Sequence, residues 1–275
     1  MRTISTVMSD NLAGMALFLA LAFIFTWVAF AKGYYTLPYK DHKGPQISLQ
    51  DVLCCFFIFI AVYFLVLPLV QTMILAHILT FLLTLCLFIL YGYLSDRKTM
   101  LNVWKDRSFP GTLSFMGDGE TGLITWVIAM PVVGSITYLA EILTSLFFTP
   151  TDKEQVAVRF LKQSLSDPAT SVVALFSILI VAPFFEEFLF RGLLFSYIRT
   201  KLGPIIAIFL SSLIFSLFHF SPSQSIENIA LLLTLFGFGS YLGFVYEKTR
   251  SLFAPILLHV TFNSISVIRI IFTHV

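Results

Sequence analysis

Six residues in the C-terminal third of the chain have the types and spacing to do chemistry. Glu186, Glu187 and Arg191 interrupt the apolar run Phe184 to Gly192, His219 closes a second apolar run, and His259 and Asn263 share a third. An unpaired charge at the centre of a membrane helix costs roughly 2.5 to 3.5 kcal/mol on insertion scales, so such groups need partners and invite a functional explanation. On a helix, Glu187 and Arg191 stand at i and i+4, in the carboxylate-before-cation order that favours pairing. Glu186 points about 100° away. The pair Glu187 and Arg191 is therefore expected to support the site, leaving Glu186 for chemistry. His259 and Asn263, again i and i+4, share one face. Polar groups on several helices of one bundle attract one another in lipid, so convergence of Glu186, His219, His259 and Asn263 is expected.

Such a set suits amide hydrolysis. A carboxylate withdrawn from water is an improved proton acceptor, so Glu186 could take a proton from water and pass one to a leaving amine. His219 could orient or help deprotonate that water, while His259 and Asn263 could donate hydrogen bonds to an oxyanion. No serine stands in a nucleophile-elbow pattern and no cysteine lies near either histidine in sequence, which argues against covalent catalysis. A zinc site built from Glu186, His219 and His259 competes, because two histidines and a carboxylate can leave a position for water. Against it, there is no HExxH pair, Asn263 is a poor zinc ligand, and a coordinated Glu186 leaves no obvious base. No cofactor is favoured; zinc is the alternative.

The elements that must position these residues are membrane helices. Of the 275 residues 58% are hydrophobic and only 12% charged, against about 25% charged in a soluble domain, and the mean hydropathy is +0.92. The chain reads as an integral, multi-pass membrane protein. Runs long enough to cross the hydrocarbon core fall at approximately 12–31, 51–70, 73–94, 122–147, 171–198, 204–220, 228–246 and 252–272. The first exceeds a signal peptide's apolar core and lacks a small-residue cleavage site, so it reads as a retained helix. Residues 31–50 and 95–122 read as aqueous loops, whereas 149–169 alternates apolar and charged residues as an interfacial helix does. His77, Thr80, Thr84, Tyr138 and Gly239 with Gly243 read as helix-packing groups, and Glu141 as a weaker functional candidate. Cys54, Cys55 and Cys86 lie in apolar runs without metal spacing and read as filler.

A net charge of +2 with scattered basic residues does not suggest nucleic acid. Lys32, Lys40, Lys43, Arg97, Lys98, Lys105, Arg107, Arg199, Lys201, Lys248 and Arg250 follow the first, third, fifth and seventh spans. Arg2, Lys153, Arg159, Lys162 and Arg269 fall on the other side, a bias that favours both termini outside.

At the motif positions the chain resembles the CPBP family, the type II CAAX prenyl proteases with bacteriocin-processing and Abi-like membrane proteins. Glu186 to Arg191 is similar to that family's EExxxR motif, Phe215 to His219 to its FxxxH motif, and His259 to Asn263 to its HxxxN motif. The resemblance covers roughly Ser171 to Val267. It implies an eight-helix intramembrane endopeptidase with Glu186 as base, His219 as its water-activating partner, and His259 with Asn263 stabilising the oxyanion.

The combined expectation is an all-α polytopic transmembrane helical bundle of about eight helices. Residues 1–170 hold about four helices with their loops, and residues 171–275 form the four-helix catalytic core. The expected activity is hydrolysis of a peptide bond in a membrane-associated protein or peptide, a prenylated CAAX-type chain included, at the cell membrane of a bacterium. The other readings are a non-catalytic immunity or scaffold protein and a proton-coupled transporter.

Overall fold

The computed structural model describes residues 4–37, 44–70, 72–106, 114–147, 156–224 and 226–274. Arg2, Lys40, Lys43, Arg107, Lys153 and Glu154, which entered the charge count or the interfacial helix, lie outside them. Among the described residues the architecture is all-helical, with no strand beyond one isolated bridge between Lys105 and Ser251.

In chain order the helices are α1 (Ile4–Ala31), α2 (Leu49–Leu69), α3 (Met73–Leu94), α4 (Arg97–Trp104), α5 (Phe115–Phe147) and α6 (Val156–Ser164). They continue with α7 (Pro168–Leu202), α8 (Pro204–Phe218), α9 (Glu227–Thr249) and α10 (Phe253–His274). Seven of them are long and apolar enough to cross a bilayer. The eighth apolar helix, α8, has 15 residues, about 22 Å at 1.5 Å per residue, short of the roughly 30 Å core. Large apolar side chains such as Phe23, Phe57 and Phe64 face outward, as lipid-facing positions should.

Helix α5 is the scaffold, packing against α1, α9 and α10. Tyr138 lies over Gly14 of α1, and Phe18 of α1 lies over Gly134. The closest approach to another backbone is at Gly122, where an added Cβ would stand 2.6 Å from the carbonyl oxygen of Ala254 at the start of α10. Because that obstacle is backbone, Gly122→Ala should cost about 1 to 3 kcal/mol, read as a lower thermal midpoint in detergent. Gly119→Ala should be milder, since its Cβ would meet only the tip of Leu257 at 3.3 Å.

One expectation about the connections needs correcting. The stretch 95–122 is not an aqueous loop throughout: Asp96 caps α4 with bonds from the Lys98 and Thr99 amides. Met100 and Val103 bury one side of α4, and α5 begins at Phe115 rather than near 122. The run 171–198 lies within one apolar span, Pro168–Leu202, in which two π-helical segments, Ser177–Val181 and Phe188–Phe195, interrupt the α-helical register. Elsewhere, Asp167 caps the start of α7 behind the short α6. The His77 ring stacks on Phe160 of α6 at 4.9 Å, a packing use.

The segments after α1, α3, α7 and α9 converge at one end of the bundle. Glu247 accepts from Arg199 Nε (2.7 Å) and Nη2 (3.0 Å) and from Arg250 Nη2 (3.0 Å). Lys248 Nζ donates to the Tyr34 carbonyl at 2.7 Å, and the Leu252 amide to the Trp104 carbonyl. Arg250 ends α9 in the left-handed region, φ +53°, which costs an ordinary residue roughly 1 to 2 kcal/mol. Burial lowers the pKa of its guanidinium and Glu247 opposes that shift; arginine remains charged in either case. Arg199, Lys248 and Arg250, three of the basic residues assigned to one side, thus share one end.

Candidate active site

The site forms where α7, α8 and α10 meet at one depth. Gly203, with φ +83°, turns the chain from α7 into the antiparallel α8. Glu186 lies 17 residues before that turn and His219 16 residues after it. At the same rise per residue the two side chains come level, and the short α8 ends inside the bundle instead of crossing it. His219 is the residue at which α8 stops. The chain beyond is held by Asn228, whose side chain takes the Ser221 amide (3.0 Å) and donates to the Ser221 carbonyl (2.7 Å). On the other flank, Leu252 packs where a Cβ on Gly192 would project, so α10 starts beside residue 192. Seven residues on, His259 reaches the two glutamates.

Glu186 Oε2 is 3.8 Å from His219 Nε2 and 3.9 Å from His259 Nε2. Both rings are oriented through their other nitrogen. His219 Nδ1 bonds the Phe215 carbonyl at 2.9 Å, four residues back. A carbonyl only accepts, so this nitrogen carries the proton and Nε2 is turned toward Glu186. His259 Nδ1 donates to Glu187 Oε1 at 2.8 Å.

Glu187 therefore has two partners. The same Oε1 accepts from Arg191 Nη1 at 3.1 Å, while Arg191 Nη2 donates to the Gly239 carbonyl at 3.2 Å and its guanidinium lies 4.4 Å from the Phe215 ring centre. Gly239 permits this, because a Cβ there would meet Arg191, Phe215 and Ser212 all at 3.2 Å. The Glu187 and Arg191 side chains have no exposure, whereas Glu186 keeps 19% and His219 30%. Water can reach the second pair and not the first.

Asn263 lies on α10 beside the set, with one amide proton already engaged. Its Nδ2 donates to the Ile178 carbonyl at 2.9 Å. In the π register the Ala182 amide bonds the Ser177 carbonyl, five residues back, so residue 183 should serve Ile178. That residue is Pro183, which has no N–H. Asn263 supplies the missing donor from another helix. Asn263→Leu should cost about 1 to 3 kcal/mol by stranding this carbonyl, measured as thermal destabilisation in detergent.

A zinc ion held by Glu186, His219 and His259 would need Glu186 drawn slightly closer to both histidines. Ligands at about 2.0 to 2.2 Å from a tetrahedral ion stand roughly 3.4 Å apart, closer than the 3.8 and 3.9 Å seen from Glu186. Among the described residues no group of three or more His, Cys, Asp or Glu side chains is arranged to hold a metal ion.

Residues 168–265 match the family model described as type II CAAX prenyl endopeptidase Rce1-like. This segment is similar to Rce1-like domains. The match spans every residue of the candidate site and points to a membrane-embedded hydrolase of the protease class. No curated protein and no solved structure matches the chain. The matched segment brings Glu186, His219 and His259 together and places Glu187 and Arg191 behind them. Sequence reasoning did not foresee the contact between Glu187 and His259, which joins residues 72 positions apart. It also missed the position of Phe215, whose carbonyl holds one catalytic candidate and whose ring lies under Arg191. The spacing of four in Phe215 to His219, a backbone-bonding distance on a helix, was the available signal for the second.

Proposed function

We propose that the protein is an intramembrane endopeptidase that hydrolyses a peptide bond with water activated by Glu186 and His219. The observation that carries the reading is the 3.8 Å separation of Glu186 Oε2 from His219 Nε2. It is too long for a direct hydrogen bond and suited to one bridging water held by both. Glu186 takes a proton as the water oxygen attacks the scissile carbonyl, and returns one to the leaving amine as the carbon–nitrogen bond breaks. His219, its Nδ1 proton fixed on the Phe215 carbonyl, aims its Nε2 at the same water. His259 must carry both ring protons to donate from Nε2 to the oxyanion while Nδ1 serves Glu187. The carboxylate of Glu187 is the counter-charge of that form. The second proton of Asn263 Nδ2 is the other donor for the oxyanion.

The substrate is a membrane-associated peptide or protein, with a lipid-modified CAAX-type chain end as the class suggested by the family. The residues up to 170 serve as the membrane scaffold and those from 171 as the catalytic unit, in the cell membrane of a bacterium. Single and double variants in proteoliposomes, with a lipid-anchored peptide as substrate and excess chelator present, test the mechanism. Groups acting on one water are not additive, so Glu186→Ala with His219→Ala should lose about as much as either alone. A double loss equal to the product of the single losses would separate the two residues, and loss of wild-type activity in chelator would restore the metal.

A further inference from the structure

A second apolar space lies behind α7, on the face turned away from Glu186. Phe184 and Phe188, four residues apart, stand roughly 200° around the helix from Glu186. With Trp104, Phe88, Leu85 and Gly92 they line a cavity of about 410 Å³, within the range of ligand-sized pockets. The Trp104 ring lies 4.9 Å from Phe184 and 5.4 Å from Phe188. The inner wall is therefore aromatic and rests directly on the helix that carries the glutamates. Tyr91, its hydroxyl on Asp51 at 2.8 Å, closes one side.

The outer side is open to the bilayer, since Tyr93 and Leu101 on the rim are 72% and 59% exposed. Arg97 also lines the cavity. It begins α4 just beyond the last residue of the α3 span, Leu94, at the level where hydrocarbon gives way to headgroups. Its side chain is exposed, it makes no ion pair among the described residues, and the exposed Lys98 follows it. An apolar space open to hydrocarbon and ending at an exposed cation complements an amphiphile with a negative head.

We propose that this cavity binds one acyl chain of an anionic phospholipid from the surrounding bilayer, with the headgroup phosphate on Arg97. The site is separate from the Glu186 centre and stands whether or not the hydrolytic reading holds. The chain packs on Trp104, Phe184 and Phe188, completing the support behind α7.

Gly92 offers a clean way to fill the cavity, because an added Cβ would meet only Met100, at 3.9 Å. Native mass spectrometry of the full chain released from nanodiscs with equal phosphatidylglycerol and phosphatidylcholine reads the bound lipid. Wild type should retain phosphatidylglycerol with at least a fivefold preference. Arg97→Gln should lose the preference, and Gly92→Leu should lose retained lipid of both kinds by fivefold or more. If Gly92→Leu melts early, Leu101→Trp on the exposed rim serves the same purpose. Equal retention of the two lipids by wild type, or undiminished retention when the cavity is filled, would overturn the proposal. So would a filled cavity that keeps its lipid and instead raises the KM for a lipid-anchored peptide, which would assign the space to substrate.

Discussion

Glu186→Gln should reduce peptide hydrolysis by about 10² to 10⁴-fold, the usual worth of a positioned general base, while leaving the protein folded in the membrane. The amide keeps the shape of the carboxylate and loses its ability to take a proton from water. Stability should change little, because Glu186 makes no contact shorter than 3.8 Å with either histidine and keeps 19% of its exposure. The measurement is a rate in proteoliposomes beside a melting curve in detergent, and the two must diverge. A variant that melts early as well as losing activity would put Glu186 among the structural residues.

The neighbouring carboxylate should behave in the opposite way. Glu187→Ala removes the acceptor of both Arg191 Nη1 and His259 Nδ1 and leaves a guanidinium with no solvent exposure and no counter-charge at that position. Breaking a buried pair from one side costs about 3 to 5 kcal/mol, enough to unfold a marginal protein. Glu187→Gln keeps an oxygen for the two donors and loses only the charge, so it should fold better than the alanine variant. It should still be slow, because His259 loses the carboxylate that orients it. Equal melting points for wild type and Glu187→Ala, measured by intrinsic fluorescence in detergent, would contradict this division of labour.

Much of this arrangement is legible in the sequence because lipid leaves few options. Apolar runs must be helices, and charges within them must find partners, so the pairing of Glu187 with Arg191 follows from spacing alone. Glu186 falls on another face for the same reason. What stays hidden depends on contacts remote in sequence. Helix α4 reads as loop because Arg97, Lys98 and Asn102 make it polar on average, and only Met100 and Val103 bury themselves. The buried Glu247 looks like one more charge at a helix end until Arg199 and Arg250 are seen on either side of it. The π segments escape detection because the residues in them are almost all apolar, leaving too few polar positions to reveal a change of period. Pro183 marks only a missing donor, and that Asn263 replaces it cannot be read from either residue alone. The histidines are a mixed case: their convergence with Glu186 is foreseeable, but the proton each ring commits, to Phe215 or to Glu187, is set by the fold.

The central claim is that Glu186 directs water at a peptide bond without a metal. Membranes carrying the protein, incubated in H₂¹⁸O with excess chelator and compared by mass spectrometry of peptide C-termini, test it most directly. Wild type should yield membrane peptides with a new, ¹⁸O-labelled carboxylate that are missing from the Glu186→Gln sample. Identical sets of labelled termini from the two samples would contradict the account.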